Sequence, residues 1–105
     1  MYYNDFDNWA DVQEEFQMVE PEPEEVLVAD YSCEDYEGDA YVVYRKGNMY
    51  YTVNGGHCSC FGLEGQWEPE AYNIQTLYLA LDKSNPYGVE QAHKFELLRV
   101  LKERF

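Results

Sequence analysis

The chain has 105 residues, a net charge of −14 and 46% hydrophobic residues, with 11 tyrosines inflating the last figure. That length suits one domain with a modest core and excludes two. It contains no apolar run near the ~18 residues of a membrane span, and the opening MYYNDFDNWADVQEEF has neither the basic nor the apolar segment of a signal peptide. The expected compartment is therefore the cytosol, where the three cysteines stay reduced. The acidic balance argues against direct binding to nucleic acid or anionic membranes and for basic partners.

In chain order, residues 4–18 read as an amphipathic helix. Asn4 or Asp5 would cap it, Phe6, Trp9, Val12 or Gln13 and Phe16 would form its apolar stripe, and Asp7, Asp11, Glu14 and Glu15 would face water. The run Val19-Glu-Pro-Glu-Pro-Glu-Glu25 cannot continue a helix and reads as an extended connector. The alternative for residues 1–25 is a disordered acidic arm, against which Phe6, Trp9 and Phe16 speak.

Residues 26–54 form the clearest β region. Leu27, Ala29, Tyr31 and Cys33 alternate with Asp30, Ser32 and Glu34, which predicts a strand with one wet face. Glu37-Gly38-Asp39 supplies a turn, residues 41–44 a second strand, Lys46-Gly47-Asn48 a tight turn and residues 49–53 a third strand, together an antiparallel meander. Residues 54–71, with four glycines, read as a long irregular loop in which Trp67 is a natural anchor. Two helices follow. Ile74, Leu77, Tyr78 and Leu81 make an i, i+3, i+4, i+7 stripe. After the break at residues 84–88, Val89, Ala92, Leu97, Leu98, Leu101 and Phe105 mark the last helix, with Arg99, Lys102 and Arg104 at its negative pole.

The expected architecture is thus α+β in a single domain spanning residues 1–105: an acidic helix or arm (1–25), a meander of three or four strands with its long loop (26–71), and two helices packed on the sheet (72–105). The expected core is Phe16, Leu27, Ala29, Tyr41, Val43, Met49, Tyr51, Val53, Leu77, Leu81, Leu98 and Leu101.

Chemical signatures are sparse. His57, Cys58 and Cys60, with Cys33 and more remotely His93, are the right ligand types for zinc, but Cys-x-Cys is tighter than the usual spacing and no second pair exists. A thiol nucleophile at Cys58 or Cys60 would need an orienting partner for His57, and a negative field disfavours thiolate. Asp35-Tyr-Glu-Gly-Asp39 departs from a calcium loop, and Gly55-Gly56 lacks the Lys-Ser/Thr of a phosphate cradle. These features assign no catalytic residue and no cofactor.

The charge distribution is more informative than its size. Residues 1–44 hold 14 acidic side chains and no Lys or Arg, whereas residues 45–105 hold seven of each sign. Fourteen charges match roughly 24 Å of duplex at one phosphate charge per ~1.7 Å, close to the ~20 Å of a helix of about 14 residues. Asp7, Asp11, Glu14, Glu15, Asp30, Glu34, Asp35, Glu37 and Asp39 would form such a duplex-like array, with Tyr31 and Tyr36 stacking on a partner's guanidinium groups. A merely solvated acidic surface is the plain alternative.

The stretch Gly55-Gly56-His57-Cys58-Ser59-Cys60, then Gly62-Leu63-Glu64-Gly65-Gln66-Trp67-Glu68-Pro69-Glu70, resembles a recurrent element of small acidic proteins of tailed bacteriophages, and the likeness extends back through residues 29–31 and 40–45. The resemblance implies a setting and no catalytic residue. Such phage proteins often block host proteins, including restriction and CRISPR nucleases that hold DNA in basic channels. The expected function is therefore a non-enzymatic counter-defence inhibitor that occupies a basic nucleic-acid-binding surface of a host protein. A small zinc-binding or thiol-dependent module built on the His57/Cys58/Cys60 loop is the alternative, and a self-assembling phage component a third reading.

Overall fold

The computed structural model of the chain describes residues 1–34, 37–57, 62–84 and 89–104, with the backbone alone at 33, 34, 37, 57, 89 and 90. In chain order the elements are β1 (Tyr2–Asn4), α1 (Trp9–Phe16), β2 (Glu25–Glu34), β3 (Glu37–Lys46), β4 (Met49–His57), β5 (Glu70–Tyr72), α2 (Ile74–Lys83) and α3 (Val89–Lys102). The strands form one sheet in the order β1-β2-β3-β4-β5. The β1 strand runs parallel to β2, and every other neighbouring pair is antiparallel. Among the described residues no helix is long and apolar enough to cross a membrane.

The α+β class stands as expected, but the strand set does not. The expected meander becomes the centre of a five-stranded mixed sheet, and residues 4–18 are not one helix. Tyr2–Asn4 pair with Ala29–Tyr31, Asn4 then turns the chain with a left-handed φ of 55°, and the helix starts at Trp9, with the Asn8 side chain accepting from the Asp11 N–H. Phe6 falls on the helical spacing yet lies in the turn before the helix, where it is buried all the same. Its hydrophobicity signalled core membership, not helix. Gln17, with φ 53°, ends α1. The acidic-arm alternative fails, because Phe6, Trp9, Val12 and Phe16 are buried and the indole N–H of Trp9 and the amide of Gln13 both donate to the Glu20 carbonyl at 2.8 Å, tying the connector across α1.

Both faces of the sheet are covered. On one, α1 packs its aromatic stripe over Ala29, Tyr31, Ala40, Val42, Tyr44 and Val53. On the other, Leu77 and Leu81 of α2 and Leu97 and Leu101 of α3 pack over Val28, Tyr41, Val43 and Tyr50. The expected wet face of β2 is therefore absent over its first half. A register shift between Val26 and Val28 marks a bulge that turns Leu27 out of the alternation, so Leu27 and Val28 join the α2/α3 side while Ala29 and Tyr31 face α1. Residues 40–44 of β3 are buried without interruption, the pattern of a central strand covered on both sides.

Two further expectations need correction. Met49, assigned to the core, is 37% exposed. It follows the Gly47-Asn48 turn at the end of the sheet, and the eight-residue α1, only ~12 Å long, cannot cover strands of ~30 Å. The long loop also starts later than expected, because β4 continues through Gly55 and Gly56 to His57. Gly55 lets the strand approach its neighbours closely there: a Cβ would stand 2.9 Å from Leu63 Cδ2 and 3.1 Å from Phe16 Cε1, so those side chains would have to shift. The exposed end of β4 is closed by Gln66, whose side-chain amide accepts from the Gly56 N–H at 2.8 Å and donates to its carbonyl at 2.7 Å, taking the place of a neighbouring strand.

Candidate acidic interface

The outward side of α1 carries Glu14 and Glu15, both exposed, and Asp11, half-buried, with Asp7 exposed in the turn before the helix. Asp11 also accepts from the Asp7 N–H at 2.9 Å, in the first turn where a carboxylate complements the helix dipole. Glu15 is the centre of the group. Its carboxyl is pushed above the usual range first by partial burial and then by the nearby charges of Glu14, Asp5, Glu64 and Asp11. Tertiary folding thus adds Asp5, from the turn after β1, and Glu64, from the loop after β4, to the helix acids. Among the described residues none of these five has a Lys or Arg within ion-pair distance.

The cations gather elsewhere. Arg45 pairs with Glu25 at 3.0 Å and Glu24 at 3.3 Å, Lys46 with Glu20 at 3.3 Å and Arg104 with Glu25 at 2.6 Å. Arg99 pairs along α3 with Glu96 and with Glu103. Three of the four connector acids, Glu20, Glu24 and Glu25, are therefore neutralised by groups from residues 45–105. Asp39, exposed opposite Ser32 and Gly56, sits six residues along β3 from Arg45, a separation of ~20 Å. At ~0.15 M salt the Debye length is about 8 Å, so the Arg45 end does not offset the charge at the Asp39 end.

Two expected interface residues are buried and do not belong to it. Asp30 is 3% exposed and Tyr31 6%. Tyr31 packs against Phe6 with ring centroids 5.5 Å apart, so it cannot stack on a partner. Asp30 turns toward α3, where one carboxylate oxygen lies 2.6 Å from His93 Nε2 and the other accepts from the Asn4 amide at 2.6 Å. The His93 ring rests on Tyr3, centroids 4.5 Å apart. A buried carboxylate is tolerable here because both oxygens are hydrogen-bonded. The alternation of β2 concealed this, since it shows which residues share a face but not what covers that face. The available signal was His93 itself, four residues before Leu97 and eight before Leu101 on the buried side of α3.

Asp35 and Tyr36 lie outside the described residues, as do the side chains of Glu34 and Glu37. The same holds for Cys58 and Cys60 and for the side chains of Cys33 and His57. The backbone register does place Cys33 opposite Gly38 and Gly38 opposite His57, in one row across β2, β3 and β4. Among the described residues no group of His, Cys, Asp and Glu is arranged to hold a metal ion. Compared with known proteins, the chain matches no family model, no curated sequence and no solved structure.

Proposed function

We propose that the chain is a non-enzymatic, bacteriophage-type inhibitor that lays an acidic face on a basic nucleic-acid-binding surface of a host protein. One observation carries this reading: Asp5, Asp11, Glu14, Glu15 and Glu64 crowd together without cationic partners among the described residues, while Arg45, Lys46 and Arg104 neutralise acids at the other end of the sheet. Like charges held this close oppose folding, and a basic partner relieves that repulsion on docking. Asp7 extends the face, whereas Asp39 shares the α2/α3 side of β3 with Tyr41 and Val43 and Asp30 and Tyr31 are buried, so these three drop out of it.

The test is competition for a restriction or CRISPR nuclease against its DNA, read as inhibition at ~50 and ~300 mM salt. Glu14→Gln/Glu15→Gln/Glu64→Gln should weaken inhibition about tenfold or more, and Glu96→Gln/Glu103→Gln should leave it within about twofold. Equal losses in the two variants would reduce the effect to non-specific attraction and sink the reading.

The Cys33–Gly38–His57 row favours a second reading, a small zinc or thiol module completed by the Cys58–Cys60 segment. Zinc analysis of protein purified without chelator tests it: one equivalent of metal, lost in His57→Ala, supports the module, and metal-free folded protein removes it.

A further inference from the structure

The strand β1 is three residues long, lies at the edge of the sheet and pairs in parallel with Ala29–Tyr31. Parallel pairing is slightly weaker per residue than antiparallel pairing, and so short an edge strand belongs to the low-stability end of a fold. The Ala29 N–H donates to the Met1 carbonyl at 2.9 Å, and the Asp5 N–H donates to the Tyr31 carbonyl at 3.0 Å. Tyr2 and Tyr3 are only half-buried, Tyr2 against the α1 core and Tyr3 against the α2/α3 core. Phe6, by contrast, is 1% exposed. The chain is therefore anchored just past the strand, and Asn4, with its left-handed φ, is a natural hinge before that anchor.

What holds β1 beyond its backbone comes through α3. The Asn4 amide donates to one oxygen of Asp30 and His93 Nε2 meets the other, both at 2.6 Å. The His93 ring lies against Tyr3, centroids 4.5 Å apart. One buried carboxylate thus ties an edge strand to a helix from the far end of the sequence. Asp30 is 3% exposed and His93 8%, so water competes little for these bonds, and a charge-assisted bond is stronger there than at the surface.

We propose that β1 is a strap that opens and recloses over the edge of β2 as a unit, with Asn4, Asp30 and His93 as its catch. Opening pivots at Asn4, lifts Tyr3 off His93 and frees the Ala29 N–H and the Tyr31 carbonyl on the edge of β2. It also releases Asp5, whose bond to Tyr31 places it in the acid group around Glu15. That last consequence rests on the proposed acidic face, whereas the strap itself does not.

The experiment is amide hydrogen exchange of the full chain followed by NMR with no partner present, so the strap and the inhibitor reading fail separately. In the wild type the Asp5 and Ala29 amides should share one opening equilibrium and exchange about a hundredfold or more faster than the Val42 amide of β3. Asn4→Asp keeps the size and the tolerance of a left-handed φ but sets a second carboxylate against Asp30. It should speed exchange at both amides about tenfold or more while Val42 stays within about threefold. Tyr3→Leu, which removes the ring contact with His93, should speed the same two amides to a smaller extent. Asp5 and Ala29 amides that exchange together with Val42 in every variant would make β1 part of the global unfolding unit and overturn the strap. Early exchange whose rate neither substitution alters would remove the catch, and the proposal with it.

Discussion

The two faces of the sheet are covered by different means. The α1 face is built from rings: Phe6, Trp9 and Phe16 close over Tyr31 and Tyr44, with Trp67 stacked on Tyr44 at 5.8 Å and edge-on to Phe16 at 5.0 Å. Its coherence comes from shape and area, and a helix of eight residues suffices because each ring buries so much surface. The α2/α3 face uses mainly Leu and Val, with Tyr41 and Tyr50, and there α3 and the turn after it are also pinned to β2 at two polar points, His93 to Asp30 and Arg104 to Glu25. Short elements can rely on bulky rings. A 14-residue helix laid across a sheet gains its angle and register from directional bonds.

The comparison breaks most visibly at Phe16. Phe16→Ala removes a fully buried ring that touches Trp67 and Gly55, and it should cost about 4 kcal/mol in urea unfolding because the rigid neighbours cannot collapse into the gap. His93→Ala should cost somewhat less, about 3 kcal/mol, since it strands the buried Asp30 carboxylate with the Asn4 amide alone. The double variant Asp30→Ala/His93→Ala should lose clearly less than the two singles added together, whereas Phe16→Ala combined with His93→Ala should add, the sites lying on opposite faces. Additive losses for Asp30 and His93 would show that the pin contributes nothing as a pair.

The Arg104 pin gives a smaller, pH-dependent effect. The folded-state value of Glu25 is depressed from 4.5 to about 2, so its contribution is fully present above pH ~4.5 and lost as the pH falls through about 2. With both side chains about one-third exposed, at 32% and 33%, solvent screening reduces that contribution to about 1 kcal/mol. Urea midpoints of wild type and Glu25→Gln should therefore differ at pH 7 and converge toward pH 2. A difference that persists at pH 2 would assign the effect to packing instead.

Much of the fold was legible in residue patterns. The alternation of 26–53 located β2, β3 and β4, although Glu37-Gly38-Asp39, expected as a turn, is the start of β3 paired with Ser32–Glu34, and the Gly47 turn has the left-handed φ of 59° that glycine supplies most easily. The stripe Ile74, Leu77, Tyr78, Leu81 located α2, whose Asn73/Thr76 capping box fixes its start. What failed were features whose cause lies far off in sequence. Tyr2–Asn4 are a strand only because β2 offers an edge, and Asp30 is buried only because α3 brings His93 over it from 63 residues away. Of the candidate interface, the helix acids were readable from charge and period. Glu64 was not, since its approach to Glu15 depends on how the loop after β4 returns to α1.

From its residues alone this chain is committed to an α+β composition, an acid-rich first part and a balanced second part, because period, propensity and charge are local properties. Which acids stay uncompensated was decided in three dimensions. Glu20, Glu24 and Glu25 were matched by Arg45, Lys46 and Arg104, Asp30 was drawn into the core, and Asp5, Asp11, Glu14 and Glu64 were left near Glu15 with no ion-pair partner among the described residues. Coulomb energy depends on distance in space, and only the packed sheet sets those distances.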